Sequence, residues 1–456
     1  MFQLHALGAE PGQVGVDQER VRRVERLLQA PAPLLAWLQD HLDWPQGTRL
    51  VDLRPSRIWP GKKDSLTFEL SLQILRDGRA TPYLIQGQAG TADPVKAEHR
   101  APRFGAGEYL LGVRIASAPL GVSLWSPDYD AHLPAARRIL RGESTAEAGG
   151  AVGEESAADR AALAGDRPCH RIVAYRAAKR CTFAEVHPGD GRIVAYYKVF
   201  RRMPAILLDH YPGAFADALE RRSGGNVRIP LAQRICVEER MLVSEPVTFD
   251  EGHPPDAASR ITRAADLLAA LHDVSVDFMD KLPVHDASKE LETVHRWLGC
   301  CQRFGHMPGE RASQVWAGIG SLAVAASGAP TRIAHRDFYE RQLQHDGEYV
   351  YLTDLDTLAL AHVEVDVATY LAHEFLDELT SGGTVDSGKQ KGMALVARYL
   401  SEGGRIDRDR LRFYLGCALA RLGCIHVLRG VDPEIIENLW GVGESQINGS
   451  WEIGHG

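Results

Sequence analysis

Cysteine is sparse, with seven in 456 residues. Cys300 and Cys301 are adjacent, Cys417 and Cys424 are well separated from them, and no C-x-x-C occurs. A disulfide framework is therefore not expected; reduced, mostly buried thiols are. Positive charge is not in excess: 52 Lys and Arg against 60 Asp and Glu give a formal net charge of -8. That balance speaks against nucleic acid as a partner. Long hydrophobic runs are missing. Residues 312–331 carry no charge, but they are rich in Ala, Gly and Ser and contain Gln314 and Pro330, which reads as a core helix and loop rather than a membrane span. The opening MFQLHALGAEPG has neither the basic start nor the apolar stretch of a signal peptide, so a cytoplasmic protein is expected. H-E-x-x-H, G-x-S-x-G, Walker A and G-x-G-x-x-G motifs are absent, which argues against zincin, hydrolase, P-loop and Rossmann chemistry.

What is present is an ordinary globular composition, 45% hydrophobic and 25% charged, long enough for two or three domains. The clearest break is an Ala/Gly-rich segment without aromatics across residues 143–167, expected to be a mobile or weakly helical linker. It separates an N-terminal α+β domain, 1–142, from a C-terminal part. There, Arg171–Tyr175, Cys181–Val186 and Ile193–Phe200 read as strands, joined by a basic turn and by Pro188-Gly-Asp-Gly191. From about residue 260 the period becomes helical, as in Ile261, Ala264, Ala265, Leu268, Leu271 and His272. An α+β architecture of two lobes follows, with the small β lobe at 168–248 and the helical lobe at 249–456. The N-terminal domain carries a fainter version of the same sheet. Aligning its basic segment at Lys63 and its turn at Gly78 with those of the second sheet puts Ile85 opposite Lys198. This suggests a lysine-less duplicate.

The richest stretch is His335-Arg336-Asp337 with Gln342 five residues on, followed by Asp354-Leu355-Asp356. Phosphoryl transfer needs an anionic base beside the attacking hydroxyl and oxygen ligands for the metal on the nucleotide phosphates. Asp337 suits the base role. Gln342 offers an amide oxygen and Asp354 a hard carboxylate of the kind magnesium prefers. H-x-D with a following amide is weak alone; a strand lysine, Lys198, and a helix ending in Leu271-His272 upstream, in the required order, strengthen it.

On these residues, together with Asp366-Val-Ala and Tyr197-Lys198-Val-Phe, the chain resembles the aminoglycoside phosphotransferase and choline kinase superfamily, relatives of protein kinases, over roughly residues 168 to 430. The resemblance implies a protein-kinase-like fold preceded by an extra domain, with ATP and Mg2+ as cofactors. It implies that Lys198 holds the α- and β-phosphates, that Asp337 is the catalytic base, and that Gln342 and Asp354 bind magnesium. His335 and Asp366 would brace the loop from behind, with Asp356 in a supporting place. Three departures stand out. Gln342 replaces the usual asparagine, the nucleotide loop has no glycine but two cations, Lys179 and Arg180, suited to side-chain contact with phosphate, and no glutamate partner for Lys198 is identifiable among Asp209, Asp217 and Glu220.

The expected activity is a kinase acting on a hydroxyl of a small molecule: a sugar, an aminoglycoside-like antibiotic or a natural product. A sugar or natural-product hydroxyl is slightly favoured because no segment after Asp356 reads as densely acidic. A non-catalytic pseudokinase-type binding module and a kinase acting on a peptide hydroxyl remain open. The sequence leaves oligomeric state open, and gives the N-terminal domain no clearer role than a cap, an acceptor-selecting surface or a dimer interface.

Overall fold

A computed structural model describes residues 16–61, 65–89, 99–102, 111–117, 120–140, 169–187, 189–208, 211–230, 232–244, 246, 256–345 and 349–449. The linker expected at 143–167 lies outside the described residues. The chain divides into two compact units, Met1–Thr145 with Tyr175–Ala178, and Ala146–Ala174 with Lys179–Gly456.

The first unit opens with helices α1 (Val16–Gln29) and α2 (Ala32–His41). Helix α1 buries Val21, Val24, Leu27 and Leu28, the i, i+3, i+4 stripe of an amphipathic helix. A five-stranded antiparallel sheet follows: β1 (Thr48–Pro60), β2 (Leu66–Arg76), β3 (Arg79–Ala89), β4 (Arg114–Ser117) and β5 (Val122–Trp125), in the order β1-β2-β3-β5-β4. Asp77 and Gly78, both at positive φ (51° and 77°), close the β2–β3 hairpin between the paired Arg76 and Arg79. Asp-Gly favours this turn because its backbone twist matches that of the flanking strands. Along β2, Leu66, Phe68, Leu70, Leu72 and Ile74 are all buried, so one face of the pleat is core. A short helix, α3 (Pro134–Leu140), follows.

Strand β6 (Cys169–Arg176) belongs to the second unit up to Ala174, and β7 (Arg180–Val186) and β8 (Ile193–Phe200) follow in that unit. Helix α4 (Tyr211–Arg222) and the short β9 (Val227–Arg228) follow. Strands β10 (Ala232–Cys236) and β11 (Met241–Ser244) complete a sheet in the order β10-β11-β8-β7-β6. In strand sequence this is the order of the first sheet. The register extends the likeness: Thr182 pairs with Lys198 and Phe183 with Tyr197, as Thr67 pairs with Gln88 and Phe68 with Gly87. Matched on these Thr-Phe pairs, the residue in the place of Lys198 is Gln88, whereas the spacing from the turn matches Ile85; neither is a lysine.

The remainder is helical: α5 (Ala257–His272), α6 (Ala287–Arg303), α7 (Gly309–Leu322), α8 (Glu364–Thr380), α9 (Val385–Ser401), α10 (Arg408–Val427) and α11 (Pro433–Ile447). Helix α10 buries Leu411, Phe413, Tyr414, Leu415, Cys417, Leu419 and Cys424 around its whole circumference and packs against α6, α7, α8 and α11. It is the core helix of this lobe. Residues 312–331 form the end of α7 and a loop, and among the described residues no helix is long and apolar enough to cross a membrane. Cys181, Cys300, Cys301, Cys417 and Cys424 are buried free thiols. Two three-stranded sheets support the loops. One comprises β12 (Val284–His285), β16 (Ala359–Ala361) and β13 (Arg332–Ala334). The other comprises β14 (Leu343–His345), β15 (Val350–Leu352) and β9.

Helices α10 and α11 meet at Gly423, where a methyl group would lie 2.2 Å from Trp440 Nε1. Gly423→Ala is expected to lower stability by about 1–3 kcal/mol through overpacking, read as a reduced midpoint in urea denaturation.

Candidate functional site

The loop after β13 is held from beneath by one carboxylate. Asp366, fully buried in the first turn of α8, accepts the His335 backbone N–H at 2.7 Å and the Arg336 N–H at 2.5 Å. His272, the last residue of α5, donates from Nε2 to the same carboxylate at 3.1 Å, and its Nδ1 accepts from the Tyr399 hydroxyl at 2.9 Å. The buried His335 ring donates from Nε2 to the Thr353 carbonyl at 2.9 Å, tying the loop to the end of β15. Its own carbonyl accepts from Thr357 Oγ1. Arg336 sits at φ 69°, a left-handed conformation that costs a non-glycine residue of order 1 kcal/mol or more. The two amide bonds to Asp366 maintain it.

This scaffold sets Asp337 half-buried at the site, where its charge acts on Arg180 and, after burial, helps raise the Tyr339 phenol. Gln342 closes a single 3-10 turn, Glu340–Gln342. Its side-chain oxygen accepts from Thr353 Oγ1 at 3.2 Å and its carbonyl from the Thr353 N–H at 3.0 Å. Gln342 is thereby locked to the residue that precedes Asp354. Asp354 itself lies at φ 57°, the second non-glycine residue of the site in the left-handed region.

Strands β7 and β8 bring two cations to those carboxylates. Lys198 pairs with Thr182 and Phe200 with Arg180, so Lys198 and Arg180 are diagonal neighbours on one face of the sheet. Lys198 Nζ lies 2.7 Å from Asp354 Oδ1 and 2.8 Å from Asp356 Oδ2. Arg180 Nη1 lies 2.6 Å from Asp356 Oδ2 and 3.3 Å from Asp354 Oδ1, and Nη2 lies 3.3 Å from Asp354 Oδ2. Burial opposes the charged form of Asp354, but Lys198 and Arg180 outweigh it and hold the carboxyl well below its usual range. Asp356 moves the other way. Burial, reinforced by the neighbouring Asp354 charge, raises it despite the same two cations, since two carboxylates this close do not ionise with equal ease.

The structure thus brings together Lys198, Arg180, Asp354 and Asp356, and separately His335, Asp366, Gln342 and Thr353 around Asp337. Lys179 is exposed on the turn, and its carbonyl accepts the Arg201 N–H. The acidic partners of Lys198 are Asp354 and Asp356 rather than a residue of α4: Asp217 is exposed, Glu220 pairs with Arg228, and Asp209 is outside the described residues. Among the described residues, no group of three or more His, Cys, Asp or Glu side chains could hold a metal unaided. The oxygen donors of Asp354, Asp356 and Gln342 do suit magnesium arriving with phosphate oxygens, its usual mode at nucleotide sites.

Sequence reasoning missed several neighbours. His272 was visible only as the end of a helical pattern, and Thr353 only as the residue before Asp354. Asp377-Glu378 and Tyr339 stand out in the sequence as residues that could line an acceptor pocket, but the meeting of these acids with Glu340 does not, because Glu340 is far from them in the chain. Glu340 accepts from the Tyr370 hydroxyl at 3.3 Å. Burial, with repulsion from Asp377, Glu340 and Glu378, pushes Glu374 up to about 7 against the pull of Lys391. Tyr339 stacks on His373 with ring centroids 4.1 Å apart. Glu374 and Asp377 of α8 lie close enough to Glu340 for its charge to act on both.

A five-stranded antiparallel sheet carrying a lysine, joined to a helical lobe whose strapped loop presents an aspartate, is a two-lobed α+β arrangement. Similar solved structures include a choline kinase from Cryptosporidium parvum, 10% identical, covering 63% of this chain and 90% of that one at a TM-score of 0.42. An aminoglycoside phosphotransferase from Streptomyces rimosus is 19% identical, covering 58% and 95% at a TM-score of 0.36. A macrolide 2'-phosphotransferase from Brachybacterium faecium is 14% identical, covering 64% and 96% at a TM-score of 0.35. No family model matches the chain. No curated protein matches it either.

The raised Glu374 has a stability consequence. With its folded pKa near 7 and an ordinary value of 4.5, the folded state holds the proton more tightly, so stability falls as pH rises from about 4.5 to 7. Glu374→Gln is expected to flatten that slope. Stability relative to the parent should rise with pH across this window by up to about 3 kcal/mol, as measured by urea denaturation at intervals from pH 4.5 to 8.

Proposed function

We propose that the chain is an ATP-dependent phosphotransferase that transfers the γ-phosphate to a hydroxyl of a small molecule. The observation that carries this reading is the joint presence of Asp337 on a loop strapped by Asp366 and of Lys198 on the sheet, in ion-pair contact with Asp354 and Asp356. Asp337 would orient the acceptor hydroxyl and take its proton as the oxygen attacks. Lys198 and Arg180 would hold phosphate oxygens, Arg180 through the fork of its guanidinium. Asp354 and Gln342 would hold magnesium, with Asp356 beside them; when bound, the ion neutralises charge on the phosphates. His335 and Asp366 would act on the loop only. Glu340, Glu374 and Asp377 favour an acceptor that carries an amino group as well as the hydroxyl, such as an aminoglycoside-like antibiotic, over a neutral sugar.

A non-catalytic binding module is favoured by a different observation: Lys198 takes the metal-ligand acids themselves as partners, and α4 supplies none. The two readings separate on nucleotide binding. The phosphotransferase reading expects Mg2+ with ADP to raise the melting temperature of the protein; absence of any shift would leave the binding-module reading standing. Asp337→Ala should retain that shift and the melting temperature of the parent. It should also reduce transfer from radiolabelled ATP to a panel of hydroxyl acceptors by at least about a hundredfold.

A further inference from the structure

We propose that Arg180 is an exchangeable counter-ion: it occupies the two acidic side chains when no nucleotide is bound and passes to the nucleotide phosphates on binding. Magnesium then enters with the nucleotide rather than ahead of it. The proposal rests on the phosphotransferase reading of the site and goes beyond it by assigning an order of binding and the residue that imposes it.

The charge arithmetic is local and nearly closed. Two carboxylates, Asp354 and Asp356, face two cations, Lys198 and Arg180, with five N···O contacts between 2.6 and 3.3 Å. These side chains are between 10% and 31% exposed, so solvent screens them only in part. A divalent ion entering alone would meet two fixed positive charges and find its strongest ligands already engaged. A nucleoside di- or triphosphate changes both terms, since it offers anionic oxygens to the cations and supplies the ligands that the protein lacks. The donor set agrees, because no cluster of three or more His, Cys, Asp or Glu among the described residues could hold a metal unaided.

Arg180 rather than Lys198 is the residue suited to move. It is the first residue of β7, directly after a turn in which Ala178 takes φ 55°, whereas Lys198 lies inside β8, paired with Leu242 and Thr182. Its guanidinium already spans both carboxylates as a fork, and the same fork matches the oxygens of a phosphate. The turn before it contains no glycine whose amides could approach phosphate closely, so the side chain does what backbone N–H groups do in glycine-rich loops.

The test uses Mn2+ as a spectroscopic probe, counted by the electron paramagnetic resonance of the free ion, and ADP binding by calorimetry, on the full chain. The parent is expected to bind Mn2+ at least about tenfold more tightly with ADP present than without. Arg180→Ala should tighten Mn2+ binding without ADP several-fold while weakening ADP binding about tenfold, two effects of opposite sign. Arg180→Lys keeps the charge without the fork; it should exclude the metal nearly as the parent does and recover only part of the ADP affinity. Melting temperatures of both variants report that they fold. Unchanged or weaker Mn2+ binding by a folded Arg180→Ala, with ADP still bound by the parent, overturns the counter-ion role alone. A parent that binds no ADP with or without metal overturns the phosphotransferase reading and this proposal with it.

Discussion

The site depends on one buried carboxylate. Asp366 is removed from water entirely, a placement that costs several kcal/mol unless the charge is matched by donors. Three donors converge on it: the amides of His335 and Arg336 and the ring of His272. Because those amides belong to the loop after β13, the loop cannot leave without stranding the charge. Helices α5 and α9 enter the same arrangement through His272 and Tyr399, and β15 enters it through the His335 contact to the Thr353 carbonyl. The left-handed backbone of Arg336 is sustained by this network rather than by its own preference.

In front of the loop the governing force is Coulombic rather than a matter of packing. Lys198 and Arg180 reach Asp354 and Asp356 from adjacent strands because residues two apart on a strand share a face. Four charges at contact distance in a half-buried setting stabilise one another, and a ligand that brings its own negative charge can redistribute them. The opposed shifts of Asp354 and Asp356 express the same crowding: one carboxylate takes most of the benefit of the cations while the other is pressed towards its neutral form.

The N-terminal unit repeats the strand order of the lysine-bearing sheet and pairs Thr67 and Phe68 as Thr182 and Phe183 are paired. Such likeness is what a duplication would leave. Matched on the Thr-Phe pairs the first sheet carries Gln88, and matched on spacing from the turn Ile85; both are neutral where the second sheet carries the ammonium of Lys198.

The sequence by itself determined the strands and helices whose periodicity is local, such as β6 to β8 and α5, and the order and spacing of the candidate site residues. His335, Asp337, Gln342 and Asp354 stand close enough together in the chain to be seen as one pattern. Tertiary structure decided everything that depends on long separations. Arg180 is 174 residues from Asp354, His272 is 94 from Asp366, and Glu340 meets the acids of α8 only after the chain has turned back on itself. Such pairings are set by strand register and helix packing, so no local pattern could announce that Lys198 would take Asp354 and Asp356 in place of a helix glutamate. Matching the two hairpins by their Thr-Phe pairs, rather than by spacing from the turn, puts Gln88 and not Ile85 in the place of Lys198. Hydrogen bonds across the sheet choose partners by geometry, whereas counting from a turn assumes that the two hairpins have equal length.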